Sequence, residues 1–462
     1  MKLQICGAAQ TVTGSCHFIT LDNGYKILLD CGLYQGHEDE LEDFNSRWLF
    51  KPSDIDVLVL SHAHIDHCGR IPKLVKDGFR GQIICTSATR DLSSIMLLDS
   101  AHIQESDAKH DSKRQHKNIN PLYTEKDSKI CLRYFTSIEY DIWHPINEFV
   151  KVQFLDAGHI LGSATVTLKI TENNKETVFG FSGDVGRYNR PVLKDPVQMP
   201  ALDYLICEST YGGKKHEETP ESDEKFLQII KDTILTKKGK LIIPAFSIGR
   251  TQEILYRLDK LYTEGRLENI KVFVDSPLAI NATDVFIMHP ECFDEEMHQF
   301  LMTDDNPFGW KNMKYVKTVE ESKALNESNQ PCMIIAGSGM ANAGRVKHHI
   351  FHQVDQAKNT ILIVGYCADG TIGQRLIQKP ETIKIFGIEK KVAAQIEVMS
   401  SMSAHADEPE LLQFVSNQDK EKLKSIFLVH GELKRQEAFK TALQNNNFKK
   451  IIIPELGDEF EL

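Results

Sequence analysis

The chain has no uninterrupted apolar run approaching the roughly 18 residues that a membrane-spanning helix requires. Its opening, Met1-Lys2-Leu3-Gln4-Ile5-Cys6-Gly7, lacks the apolar stretch of a secretory signal and reads as a first β-strand. Among ten cysteines there is no CxxC pair and no regular spacing, which in a chain of this size argues for reduced thiols and a cytoplasmic home rather than a disulfide framework. Internal repeats and low-complexity tracts are also missing. Positive charge is in deficit, with a net charge of −11. That balance weighs against a globally basic nucleic-acid binder, although binding footprints are local and acidic metal ligands themselves lower the total.

What is present is 462 residues, 41% hydrophobic and 26% charged, enough apolar material for two or three packed cores. Residues 1–208 are rich in short predicted strands, including 26–30, 57–60, 81–85 and 152–155. Strands predicted at 164–170 and 176–181 are joined by Asn173-Asn174 and read as a hairpin. From residue 209 the rhythm changes: apolar runs at 241–243, 272–274, 333–335 and 361–364 each lead into a loop and a helical pattern. Such alternation predicts a parallel sheet with ligands at the carboxyl ends of its strands. Strands are again expected at 395–398, 426–429 and 451–453. The layout is therefore an α/β domain over 209–394 inserted into a first domain made of 1–208 and 395–462.

The most concentrated chemistry is Ser61-His62-Ala63-His64-Ile65-Asp66-His67, directly after a predicted strand. Three histidines and an aspartate this close together form a zinc-type ligand set. His62 and His64, two apart in an extended segment, can share one ion; Asp66 and His67, past the bend, can serve a second. A predicted helix over 70–76, ended by Gly78, would hold the loop. Further candidates follow, each after a strand: His159 in Ala157-Gly158-His159, Asp184 in Ser182-Gly183-Asp184, and His430 in Val429-His430-Gly431. Alone, any of these is more readily structural. Together with the first motif, and in this order, they are the further ligands that a two-metal site would need.

The HxHxDH order resembles the signature of the metallo-β-lactamase superfamily. The resemblance implies a four-layer αββα sandwich, with one ion on His62, His64, His159 and Asp184 and the other on Asp66, His67, Asp184 and His430. Asp30, in Leu28-Leu29-Asp30-Cys31-Gly32, matches the first acidic motif and is expected to orient a liganding histidine. Two Zn²⁺ per chain are implied, with Mn²⁺ suited to the same ligands. Two such ions activate a hydroxide and stabilise an in-line displacement, which suits phosphodiesters as well as esters and amides.

Further motifs resemble the β-CASP branch, which processes nucleic acids. Glu208 opens Glu208-Ser209-Thr210-Tyr211-Gly212, His405 lies in Met402-Ser403-Ala404-His405-Ala406-Asp407, and His430 occupies the position whose histidine marks RNA-directed members. The reading is a metal-dependent ribonuclease acting on single-stranded RNA. His405 is the expected general acid and Glu208 its support, with Asp66 and Asp184 at the metals. The plainer alternative makes the Glu208 and His405 pair a domain-junction hydrogen bond. By resemblance, Ser247, Arg250, Ser338, Gly339, Arg345 and Arg375 contact RNA phosphates. The loop 365–375 departs from the family pattern at Cys367 and Gln374. The basic stretch Lys109 to Lys117, with Lys113 and Arg114, reads as a solvated helix face rather than an RNA path. The resemblance spans essentially the whole chain and suggests the minimal bacterial form, without KH-type modules or a long carboxyl-terminal domain; a homodimer is compatible with it. Two rivals are an esterase or lactonase of the same fold, which needs no long insertion, and a non-catalytic RNA-binding subunit, which would have lost metal ligands.

Overall fold

The computed structural model describes residues 1–35, 44–115, 118–216, 222–267, 270–365, 367, 370–399 and 402–462. They form two compact units, one of Met1–Lys215 with His405–Leu462 and one of His216–Ala404.

The first unit contains two seven-stranded sheets. One is ordered Glu459–Glu461, Lys2–Ile5, His17–Thr20, Lys26–Leu29, Val57–Val59, Gln82–Cys85 and Phe135–Ser137. The other is ordered Ile451–Ile452, Ser425–Val429, Tyr204–Glu208, Lys175–Phe181, Ala164–Glu172, Val150–Asp156 and His144–Pro145. Residue alternation accounts for the layers, because successive side chains on a strand face opposite ways. Ile27, Leu29, Val57 and Val59 join Phe154, Val166, Ile206 and Phe427 in the core between the sheets. Their neighbours Leu28 and Leu58 face the other way, packing with Ile71, Leu74 and Leu97 of the covering helices. On the second sheet, Leu205, Cys207 and Leu428 likewise meet Leu411, Phe414 and Phe439. The result is the αββα sandwich, and each fully buried Leu or Phe in it contributes about 1.5–3 kcal/mol.

The hairpin at Asn173-Asn174 forms, with both residues at positive φ (50° and 60°) and Glu172 paired to Lys175. All ten cysteines are unpaired and buried. Lys109 and Lys113 project from the helix Ser87–Gln115 into solvent; Lys117 and the side chain of Arg114 lie outside the described residues.

The second unit is built on a six-stranded, wholly parallel sheet ordered Met313–Tyr315, Val272–Val274, Cys332–Ala336, Lys240–Pro244, Thr360–Ile363 and Gln395–Val398. The strand Gln395–Val398 thus pairs inside this sheet, against Thr360–Ile363, and the return to the first unit begins after it. Its sequence gives no hint of this, since a short strand carries no mark of its partner. Among the described residues no helix is long and apolar enough to cross a membrane.

Candidate metal centre

Parallel pairing brings strand ends together. Leu29 is opposite Val59, Phe181 opposite Ile206 and Glu208 opposite Val429, so the chain leaves these strands at one edge of the sandwich. Asp30, the loop from Ser61, Asp184, Glu208 and His430 follow or end those strands, and His159 follows Val150–Asp156. His64 caps a one-turn helix, Ile65–Cys68, which carries Asp66 and His67; the bend expected before Asp66 is this helix start. Asp30 and His430 hold φ of 58° and 51°, a left-handed conformation costly for non-glycine residues and concentrated at functional sites. Gly32 is obligatory for a different reason: a Cβ there would lie 1.6 Å from the Asp66 carbonyl oxygen.

Donor atoms of His62, His64, His159 and Asp184 lie within 4.8 Å of one another, as do those of Asp66, His67 and His430. Asp184 stands between the sets, with Oδ2 3.5 Å from His62 Nε2 and 3.4 Å from His159 Nε2, and Oδ1 3.2 Å from His67 Nε2. It also joins His405 and His430 in a third convergent group. His64 Nδ1 is 3.2 Å from His62 Nε2 and 3.1 Å from His159 Nε2, while the Nε2 atoms of His67 and His430 are 3.2 Å apart. Imidazole lone pairs pointed at one another repel unless a cation lies among them, and mixed nitrogen and carboxylate donors suit zinc. The residues present fit the metal.

Protonation agrees with this. Burial holds His62 and His64 down to about 4 and His159 well below its usual value, so these rings are neutral, the ligating form. Burial would raise Asp184, but the His430, His67 and His405 rings outweigh it and hold the carboxyl well below its usual range. His67 is the exception: burial would lower it, yet Asp184, Asp30 and Asp66 raise it well above, so metal must displace a proton there.

Around these ligands lies a shell of hydrogen bonds. Asp30 Oδ2 is 2.6 Å from His67 Nδ1, which leaves the Nε2 of that ring for metal. The same carboxylate accepts from the Ser61 backbone at 2.8 Å, the Ser61 hydroxyl at 2.9 Å and the Ser15 hydroxyl at 3.2 Å. Thr210 Oγ1 is 3.1 Å from His430 Nδ1 and fixes that ring. Sequence reasoning passed over Ser15, Ser61 and Thr210, although Ser61 and Thr210 stand inside motifs it had singled out.

Glu208 is fully buried. Its Oε1 accepts the Val185 N–H at 2.7 Å and lies 3.3 Å from His405 Nδ1. Burial would lower His405, but the Glu208 and Asp184 carboxylates prevail and raise it to about 9. The ring stacks with that of His430 at 5.9 Å and lies 4.6 Å from that of His159.

The remaining candidates are in the second unit. Ser247 Oγ is 2.9 Å from Ser276 Oγ, and Arg250 is ion-paired with Glu253. Ser338 Oγ donates to the Ala343 carbonyl at 3.3 Å, and a Cβ on Gly339 would lie 2.6 Å from the Phe246 ring. Arg375 Nε is buried without a partner. Arg345 donates to Asp275 at 2.6 Å and to the Val316 and Lys317 carbonyls at 3.2 Å. Asp275 also pairs with the fully buried His349 at 2.7 Å, so Arg345 braces this loop base. In the loop 365–375, Tyr366, Ala368 and Asp369 lie outside the described residues.

Three family descriptions match the chain: the metallo-beta-lactamase superfamily over residues 10–204, the Beta-Casp domain over 251–376, and a Zn-dependent metallo-hydrolase RNA specificity domain over 389–454. Ribonuclease TTHA0252 of Thermus thermophilus is 34% identical over 94% of this chain and 93% of its own length. The chain belongs to the β-CASP ribonucleases of the metallo-β-lactamase superfamily. Other relatives of this β-CASP chain are the transcription termination factor FttA of Methanocaldococcus jannaschii and cleavage and polyadenylation specificity factor 73 of Drosophila melanogaster. They are 31% and 29% identical, covering 94% and 96% of this chain and 67% and 62% of their own lengths. A solved protein of unknown function from Enterococcus faecalis shares the fold, with a TM-score of 0.55 at 11% identity, over 100% of this chain and 99% of that one.

Proposed function

We propose that this β-CASP protein hydrolyses phosphodiester bonds of single-stranded RNA with two zinc ions, one on His62, His64, His159 and Asp184 and one on Asp66, His67, Asp184 and His430. The observation that carries the reading is the Glu208 and His405 pair standing 4.0 Å from Asp184, the carboxylate common to both ligand sets. A small-molecule esterase has no need of a charged imidazole there. Bound at these residues, zinc lowers the pKa of water and stabilises charge developing on the phosphate. Asp30 keeps His67 in the tautomer that ligates through Nε2, and Thr210 does the same service for His430. His405 is charged at neutral pH, held through Nδ1 by Glu208, and its other ring N–H is the proton given to the departing oxygen. Ser247, Arg250, Ser338, Gly339, Arg345 and Arg375 are assigned to RNA phosphates, and Arg345 also braces its loop base through Asp275. The full ligand set opposes a non-catalytic role.

The test is cleavage of a 5′-labelled single-stranded RNA, with matched DNA and a generic lactone or ester as controls, by wild type and Asp184→Ala. RNA cleavage that vanishes in the variant supports the reading, and metal analysis of the purified protein should return two zinc per chain. Turnover of the ester with intact RNA would overturn it.

A further inference from the structure

We propose that a cavity in the first unit is a nucleobase subsite that takes one unpaired base of the RNA close to the bond being cut, an inference that rests on the ribonuclease reading. The cavity, about 650 Å³ in volume, is walled by Tyr34, Phe44, Trp48 and Phe50 and by the segment at Gln10 and Thr11. That volume falls within the range of about 300–1,000 Å³ typical of sites for small ligands.

Its position follows from the backbone. The Thr11 carbonyl accepts the Gly431 N–H at 3.0 Å, and the Ala8 carbonyl accepts the N–H of the ligand His430 at 2.8 Å. One peptide segment therefore touches both the metal centre and the cavity. Arg70, also in the lining, follows the ligand motif closely in sequence, directly after Gly69.

The wall chemistry selects the occupant. Flat groups stand in succession: Tyr34 and Phe44 with centroids 4.8 Å apart, the Arg70 guanidinium 5.4 Å from Phe44 and 4.8 Å from Trp48, then Phe50 5.4 Å from Trp48. Arg70 is 2% exposed, and its Nε and Nη1 are engaged by the Gly32 and Phe44 carbonyls at 2.7 and 3.1 Å. These planes are fixed by packing, so a base stacking on them orders few side chains. Arg47 and Arg70 are among the residues that line the cavity. An aromatic slot with the Arg70 guanidinium among its planes fits a flat base. The Gln10 amide and Thr11 hydroxyl are suited to hydrogen-bond its edge.

The experiment walks a single abasic ribose along an RNA substrate through the positions flanking the cut, using zinc-loaded protein. One position should raise KM by about tenfold while kcat is unchanged. Trp48→Ala and Leu49→Asp should each remove the difference between abasic and intact RNA at that position. Trp48 also donates to Asp77 at 2.7 Å, so its variant can fail to fold; Leu49, 48% exposed at the rim, provides the second variant. No position-dependent effect, or one that persists in both variants, would overturn the proposal. If wild type cuts no RNA, the ribonuclease reading falls and the subsite is judged on binding alone. Asp184→Ala protein carrying W143F and W310F then reports through Trp48 fluorescence. Quenching by an RNA oligomer but not by its abasic counterpart supports the subsite, and equal responses overturn it. Self-association that Leu49→Asp abolishes, without any dependence on bases, would assign the cavity to a second copy instead.

Discussion

Asp30→Asn changes one atom in a fully buried carboxylate, and the structure leaves the new amide no good orientation. Oδ1 accepts the fixed Ser61 N–H at 2.8 Å, while Oδ2 faces His67 Nδ1 at 2.6 Å. With the amide oxygen on Ser61, the NH₂ faces Nδ1 and drives His67 into the Nε2–H tautomer, which cannot ligate. Loss of such a partner costs about 10–100-fold in metal affinity. With the amide reversed, His67 is kept but the Ser61 N–H is left unpaired in the interior, a cost of about 1–3 kcal/mol. Either penalty is readable. Zinc affinity is measured by competition with a chromophoric chelator, and stability by urea unfolding of the zinc-free protein, for wild type and variant side by side. The expected result is a tenfold or greater loss of affinity for one ion, or a metal-independent loss of stability. Asp30→Asn protein with wild-type zinc affinity and wild-type unfolding would refute the reasoning that Asp30 sets the His67 tautomer.

Three further outcomes follow from the same geometry. In wild type, His405 is raised to about 9, so the acid form, and any stability its charge contributes, is complete below the unfolded value near 6.5. Both are lost as pH rises towards 9, and bound cations move that limb lower. Glu208→Gln should therefore shift the alkaline limb of the kcat profile to lower pH, while an unmoved limb would leave the pair with a structural role only. Asp275→Ala strands Arg345 and the buried His349, so chemical unfolding should register a loss of about 3–5 kcal/mol; a change under about 1 kcal/mol would remove the bracing role of Arg345. Ending the chain at residue 394 deletes His430 and the strand Ser425–Val429 that pairs with Tyr204–Glu208, so the fragment should show neither cooperative melting nor zinc binding.

The candidate metal-binding cluster was legible because four of its residues crowd one loop, and a local pattern needs no knowledge of pairing. Asp30 was legible through its motif, but its partners were not: Ser15 reaches it only because antiparallel pairing of His17–Thr20 with Lys26–Leu29 brings the two ends together. The partners of Arg345 were hidden for a similar reason. It follows a glycine-rich turn, which suggests phosphate, yet its true partner Asp275 is 70 residues away in sequence. The strand Gln395–Val398 was recognised as a strand and placed in the wrong sheet, because a strand of four residues shows its own alternation and nothing of its neighbour.

The spacing of the ligands along the chain has a bearing on how the molecule is made. His67 and His430, whose rings meet at 3.2 Å, are 363 residues apart in sequence. At ordinary speeds of translation, roughly 5–20 residues per second, about 20–70 s separate their synthesis. For that interval a nascent polypeptide carries most of the cluster without the residue that closes it. His405 and His430 both come after the inserted unit, so the cluster can close only once nearly every fold element has been translated. The cluster is thus one of the last features of the first unit that the chain can complete.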